Sequence, residues 1–201
     1  MNERRKKMIE AYHSNKIPDF EILLDNVCDA HNVAAVSRTA DGLGISKIHL
    51  YYTYNEFPEF DYHGHKSSAS ATRWMDFCKV EDPVEFAKKK KAEGYTLVGT
   101  YMDSTAGTVM DYDFSKKTIV MMGSEKLGLS KELKELCDEL MYIPMVGMVQ
   151  SYNISVSASM IMYELYRQRG HLVDTKLINS LRGSRDGDKE RIAKGLEPRG
   201  L

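Results

Sequence analysis

Short unbroken apolar runs alternate along this chain with segments whose apolar residues recur every three or four positions. Phe20-Glu21-Ile22-Leu23-Leu24 is the first such run, and residues 47–52, 96–101, 118–122 and 140–144 supply four more. Runs of this length and composition predict strands covered on both faces. Val33, Val36, Ala40 and Leu43 fall at helical spacing and predict a helix over 32–43, with Gly42 and Gly44 as its stop. Further helices are predicted over 83–93, over 131–138 with Ser130 as N-cap, and over 154–169. An amphipathic helix is predicted over 2–13, ending near Asn15 and Pro18. Residues 55–70, rich in Tyr, His and Gly, read as a loop with little regular structure.

Strands alternating with helices predict an α/β fold, a mainly parallel sheet with helices on both faces. Ligands of such sheets sit beyond the carboxyl ends of the strands. Residues 100–104, 123–130 and 145–153 place polar residues or glycines at those ends, and a common pocket is expected of them. No internal repeat or low-complexity linker divides the chain. One domain is therefore expected over 20–169, with a basic helical extension at 1–19 and a basic tail at 170–201.

Composition narrows the class. The 201 residues, 42% hydrophobic and 28% charged, suffice for one well-buried core. No apolar run approaches the roughly 20 residues of a membrane span. Cys28, Cys78 and Cys137 are odd in number, widely spaced and without a CxxC, which predicts reduced thiols in a cytoplasmic protein. His63-Gly64-His65 has no further ligand at supporting spacing, so no metal site is expected. A net charge of -1 does not by itself mark a nucleic-acid binder. An RNA partner would need local basic patches, for which Arg4, Arg5, Lys6 and Lys7 form one candidate. Arg167, Arg169, Arg182, Arg185, Lys189, Arg191 and Lys194 form the other. Lys88-Lys89-Lys90-Lys91 reads as a solvated helix face.

Three segments carry candidate chemistry. In the first, residues 26–40, Asn32 stands at a predicted helix start, where its amide can cap the helix or bind a ligand. Arg38, set among Val33, Ala34, Val36 and Ala40, is expected to be ion-paired or to contact phosphate. In the second, residues 118–130, a strand ends at Gly123, Glu125 follows, and Gly128 and Ser130 turn the chain into a helix. This is neither a P-loop nor a GxGxxG fingerprint, and by pattern alone it is a strand–turn–helix junction. In the third, residues 142–158, Ser151 and Asn153 lie between a strand end and a helix start. Such side chains usually face a site, or Asn153 serves only as the helix cap.

Taken in order, these segments resemble the three motifs of the SPOUT methyltransferases, in the SpoU/TrmH branch that methylates ribose 2′-hydroxyls of RNA. The resemblance spans residues 20–169. It implies a deep trefoil knot near the C-terminal part of the domain, a homodimer whose two subunits build the site, and S-adenosylmethionine as cofactor. It also implies Arg38 as the catalytic arginine engaging ribose and phosphate, held by Asn32. Glu125 then orders the site, and Ser151 and Asn153 complete it. Thr100, Gly123, Ile143, Met145, Ser151 and Tyr152 are implied at the cofactor, Tyr152 standing where the family commonly has leucine. A free guanidinium gives up its proton only far above neutral pH, so Arg38 is expected to polarise the hydroxyl while a substrate phosphate shares the proton.

The flanks choose a substrate. A basic N-terminal helix and a basic tail, with Arg4, Arg5, Arg167 and Arg169 as RNA contacts, are similar to the branch members that act on guanosine 18 in the tRNA D-loop. The alternatives are a tRNA wobble nucleotide, rRNA, or a non-catalytic RNA-binding protein of the same fold.

Overall fold

In the computed structural model, residues 3–54, 74–176 and 193–195 are described, apart from the side chains of Arg4 and Arg5. The chain forms two compact units, Ile17–Gly170 and the two termini, Met1–Lys16 with His171–Leu201. Residues 55–70, Arg182, Arg185, Lys189 and Arg191 lie outside the described residues. The terminal unit contains helix α1 (Glu3–Ser14), and Asn15 at its end accepts a hydrogen bond from the Asp174 amide.

The larger unit is an α/β sheet domain. Its elements run β1 (Phe20–Asp25), α2 (Ala30–Gly42), β2 (Lys47–Tyr51), β3 (Asp76–Val80), α3 (Pro83–Ala92), β4 (Thr96–Thr100) and β5 (Gly107–Thr108). They continue with β6 (Thr118–Gly123), α4 (Lys131–Leu136), β7 (Glu139–Tyr142) and α5 (Ile154–Arg169). The seven strands lie in the order β3-β2-β1-β6-β4-β7-β5. Every strand pair is parallel. The two strands that the apolar pattern did not predict are the two edges. β3 reads Asp-Phe-Cys-Lys-Val with only Val80 fully buried, and β5 is two residues long, so neither makes an apolar run.

Right-handed crossovers put α2 on one face and α3 and α4 on the other, because β1→β2 runs across the sheet opposite to β3→β4 and β6→β7. On the α3/α4 face, Leu23, Leu97, Ile119 and Leu133 are completely buried together with Ala87 and Met121. Each such leucine or isoleucine contributes ~1.5–3 kcal/mol. The alternate residues Ile22, Leu24, Val98, Val120 and Met122 are likewise buried, as are Val33, Val36 and Ala40 of α2 and Ala158, Ile161, Met162 and Leu165 of α5.

Two local expectations are corrected. The lysine run is not a uniformly solvated face. Lys90 is 7% exposed and its Nζ lies 2.9 Å from Glu21 Oε2 and 3.2 Å from Glu93. Lys91 pairs with Asp138 at 2.6 Å, which leaves Lys88 and Lys89 facing solvent. Four helical residues in a row must visit every side of a helix, so one of them meets the sheet. Ser130 precedes α4 but makes no side-chain cap; its N–H donates to Asp25 Oδ2 at 2.6 Å instead.

Candidate catalytic and cofactor site

The carboxyl ends of β1, β6, β4 and β7 lie side by side in the sheet, and the direction in which successive strands are laid across it reverses between β1 and its neighbour β6, the two strands themselves running parallel. This is the position where open parallel sheets bind ligands. Asn26 locks the first of these ends. It sits at φ +52, is fully buried, and its Oδ1 accepts from the amides of Thr53 (2.9 Å) and Tyr54 (3.3 Å). Its Nδ2 donates to Asp25 (2.7 Å) and Thr53 Oγ1 (3.1 Å). Asparagine tolerates the left-handed region and supplies both amide roles, so it closes the β1 and β2 ends together. The Tyr52 hydroxyl adds a 2.6 Å bond to the Val27 carbonyl, and burial pushes that phenol up from its ordinary pKa.

Asn32 does not cap α2. Asp29 does, accepting from the His31 amide at 2.8 Å, and the helix begins two residues earlier than its apolar spacing shows. Asn32 is thereby placed inside the first turn with its side chain free to reach outward. Its Nδ2 donates to Glu125 Oε1, and its Oδ1 accepts from Asn153 Nδ2 at 3.1 Å. Asn153 caps α5 as well, its Oδ1 accepting from the Ser155 amide (2.9 Å) and hydroxyl (2.6 Å). One hydrogen-bonded chain thus joins the three segments, across sequence separations of 93 and 121 residues.

The Glu125 loop owes its shape to two glycines. A methyl group on Gly123 would lie 1.9 Å from the Gly128 carbonyl carbon, so this position admits no side chain. Gly128 takes φ +67, which a side chain would strain. The turn returns the Gly128 amide to the Ser124 carbonyl at 2.8 Å and presents Glu125 outward. Gly123 is therefore required by this loop's own backbone, and it does not line the neighbouring cleft.

That cleft, of about 140 Å³, is lined by Thr100, Ile143, Met145, Ser151 and Tyr152, together with Tyr101, Met102 and Gln150. Five of the six residues implied at the cofactor meet here. The Thr100 hydroxyl donates to the Met121 carbonyl at 3.3 Å, and Ser151 is exposed at the rim. Lys134 braces the loop after β4, its Nζ 3.6 Å from the Tyr101 ring centre and 3.2 Å from Asp103. A backbone hydrogen bond from Thr105, and then the one from Lys134, hold the Asp103 carboxyl below its usual range. The walls of the cleft are chiefly apolar, with serine, threonine and glutamine among the lining residues. Among the described residues no cluster of His, Cys, Asp and Glu suits a metal ion, and no helix is long and apolar enough to cross a membrane.

Arg38 is placed apart from the chain. It lies about 240° around α2 from Asn32, on an exposed stripe with His31, Ala35 and Gly42. Its apolar sequence neighbours Val33, Val36 and Ala40 face the core instead. Among the described residues it has no ion-pair or hydrogen-bond partner, and Asn32 does not hold it. Arg169 is 8% exposed and donates Nη2 to the Pro18 carbonyl at 2.8 Å, so its guanidinium is spent inside the fold rather than offered to RNA. Arg167 is exposed but paired with Glu164 at 2.7 Å.

Beside the cleft an open trough of about 850 Å³ is lined chiefly by apolar side chains. Val156, Met160 and Tyr163 form one stripe of α5, facing Val109, Met110, Pro144 and Tyr152, with Thr39 and Gly42 at the rim. Met110 is 61% and Tyr163 65% exposed, far more than core residues of their kind.

A family model described as the SpoU rRNA methylase family matches residues 19–163. The tRNA (guanosine(18)-2'-O)-methyltransferase of Thermus thermophilus is 35% identical over 83% of this chain and 84% of its own. Among solved structures, an A. aeolicus TrmH/SpoU tRNA modifying enzyme superposes with a TM-score of 0.73 and 26% identity, covering 96% of this chain and 95% of its own. The SpoU methyltransferase AviRb from Streptomyces viridochromogenes, in complex with AdoMet, superposes with a TM-score of 0.65 and 29% identity, covering 78% and 61%.

Proposed function

The chain belongs to the SpoU rRNA methylase family, and we propose that it methylates a tRNA ribose 2′-hydroxyl, at guanosine 18 of the D-loop, using S-adenosylmethionine. The observation that carries this reading is the hydrogen-bonded chain Glu125–Asn32–Asn153, set next to a cleft that gathers Thr100, Ile143, Met145, Ser151 and Tyr152. The choice of guanosine 18 is supported by the name of the Thermus relative, which this chain matches over most of both lengths.

The cofactor's sulfonium supplies an activated methyl group, so neither a metal nor a covalent enzyme intermediate is needed. The chain's residues have the remaining work. Thr100, Ile143, Met145 and Tyr152 shape the cofactor's seat, and Ser151 and Asn153 lie where the nucleophile must be aligned with the methyl group. Arg38 serves as a charge stabiliser. It polarises the 2′-hydroxyl and stabilises the oxygen as the O–H bond breaks, the proton passing to a phosphate oxygen of the substrate. The new O–C bond forms as the methyl leaves sulfur.

In this reading the apolar trough is the face of a homodimer. Val156, Met160 and Tyr163 are covered there by a second copy, and Gly42 at the rim stands one helical turn from Arg38. A partner on that face lies beside Arg38, which accounts for an arginine without a partner among the described residues of its own chain. The family's trefoil knot is assigned to the segments after β6 and β7, and the strand order β6-β4-β7 supports this by sending the last strand back past β4. Arg4, Arg5 and Arg167 are the RNA contacts retained, with phosphates displacing Glu164 from Arg167. A cytoplasmic location goes with a tRNA substrate and with the free thiols of Cys28, Cys78 and Cys137.

The test is incubation of purified protein with radiolabelled S-adenosylmethionine and an unmodified tRNA transcript, followed by mapping of the label. A 2′-O-methyl group on the D-loop guanosine is the expected result. Label at the wobble nucleotide, or in rRNA alone, overturns the substrate. Cofactor binding without label on any RNA overturns the enzymatic reading.

A further inference from the structure

An amide side chain has a donating and an accepting end, and a half-turn exchanges them. The chain through Asn32 and Asn153 therefore has two possible polarities, and only one presents the same groups to a substrate. Its two ends decide which. Glu125, as a carboxylate, only accepts, and a backbone N–H only donates. At the Asn153 end the donors are the Ser155 amide at 2.9 Å and the Ser155 hydroxyl at 2.6 Å, both on Oδ1.

We propose that Ser155 is a positioning residue for methyl transfer: its hydroxyl adds a second donor to the Asn153 amide oxygen beside the backbone N–H, holding that amide against α5 and strengthening the donor polarity that runs from Ser155 through Asn153 and Asn32 to Glu125. With Oδ1 doubly occupied, Asn153 Nδ2 must face Asn32, and Asn32 Nδ2 must face Glu125. One N–H of each amide is then left over, among the described residues, as a donor at the open side of the site. The substrate class these donors take is an anionic or alkoxide-like oxygen, which a ribose-phosphate supplies.

Position in the helix makes Ser155 available for this duty. A serine inside a helix turns its hydroxyl onto the carbonyl four residues back, as Ser159 does onto Ser155 at 2.7 Å. Four residues before Ser155 is Ser151, which precedes α5, so the hydroxyl of Ser155 has no helical carbonyl to satisfy. The N-cap bond needs only the Ser155 amide, which any residue supplies. The hydroxyl is therefore surplus to capping and its effect should appear in turnover.

This inference rests on the methyl-transfer reading, and its experiment separates the two. Wild-type protein that transfers no methyl to tRNA overturns the reading and the inference with it. With an active wild type, Ser155→Ala is expected to lower kcat roughly tenfold, the worth of about one net hydrogen bond. KM for tRNA and for S-adenosylmethionine should stay within about twofold, and Ser155→Thr should restore the rate. Ser155→Val, which keeps the shape of Thr without its hydroxyl, should match Ser155→Ala and replaces it if the alanine variant folds poorly. Combination with Glu125→Gln should lose less than the product of the two single losses, since both act on one polarity. An unchanged kcat in Ser155→Ala overturns the proposal. So does a loss confined to KM or to the thermal midpoint, or one that Thr does not repair.

Discussion

Two polar networks tie distant parts of this domain together, one toward the amino ends of the strands and one at their carboxyl ends. Glu21, the second residue of β1, is 5% exposed and accepts from His49 Nε2 at 2.6 Å, Lys90 Nζ at 3.1 Å and the Tyr95 hydroxyl at 3.1 Å. Lys47 completes the ring at 3.4 Å. Burial opposes the Glu21 charge, but the bonds from His49 and Lys90 outweigh it and hold the carboxyl at about 2, against an ordinary 4.5. The same pairing raises the Lys90 pKa against its burial. The Asn32 chain is built the other way. Glu125 and Asn153 are exposed, their bonds join neutral amides to one carboxylate, and each amide keeps an N–H unused among the described residues. The first network has closed its hydrogen bonds around buried charge and has nothing to offer a ligand. The second is open, and open polar groups at a strand-end crevice are what a substrate can use.

The contrast breaks most sharply at Glu21. Glu21→Gln removes the buried counter-charge of Lys90 and leaves it only the more exposed Glu93, and is expected to destabilise the fold by up to about 3–5 kcal/mol. Denaturant unfolding measures this, while kcat at a permissive temperature should be unchanged. Arg38→Ala should do the reverse. Turnover is expected to fall roughly 100- to 1000-fold, as for loss of a transition-state charge stabiliser. Cofactor affinity by titration should stay within a few-fold, and unfolding should be unaltered because the side chain is exposed.

Acid sharpens the same distinction. The Glu21 pKa is depressed in the folded state, so its stabilisation is complete above pH 4.5 and is lost as pH falls toward 2. Wild type should lose stability across that window, and Glu21→Gln should lose distinctly less, by unfolding measured at stepped pH. The smallest effect belongs to Lys88. Lys88→Ala should shift stability by less than about 0.5 kcal/mol. Lys90→Ala, two positions along the same helix, should approach the Glu21→Gln value.

The positions of the candidate site residues relative to strands and helices were legible by local rules, while the resemblance singled out the residues themselves. Asn32, Glu125, Ser151 and Asn153 each lie within a few residues of a strand end or helix start, and periodicity marks those ends. Thr100 ends β4 and Ile143, Met145 and Tyr152 come after β7, but the resemblance, not the apolar pattern, implied them at the cofactor. Ser155 escaped notice because a serine at the second helical position is unremarkable until its hydroxyl is seen on Asn153. Arg38 stands exposed although its sequence neighbours are apolar, because adjacent residues on a helix point in different directions. Lys90 and Arg169 misled for the related reason that a basic side chain in a basic run need not share its neighbours' environment.

The sequence by itself determined the alternation of strands and helices, the five inner strands, and which residue types stand at their carboxyl ends. Those properties follow from spacing over a few positions, where backbone geometry fixes which side chains share a face. Only the tertiary structure decided which of these polar groups meet. Glu21 and Lys90 are 69 residues apart, Asn32 and Glu125 93, and Asn32 and Asn153 121. Crossover handedness and sheet order bring them within hydrogen-bond reach, and neither is written in the local pattern around any one of them. The edge strands β3 and β5 were settled at the same level, since their pairing with β2 and β7 makes strands of segments that lack an apolar run of their own.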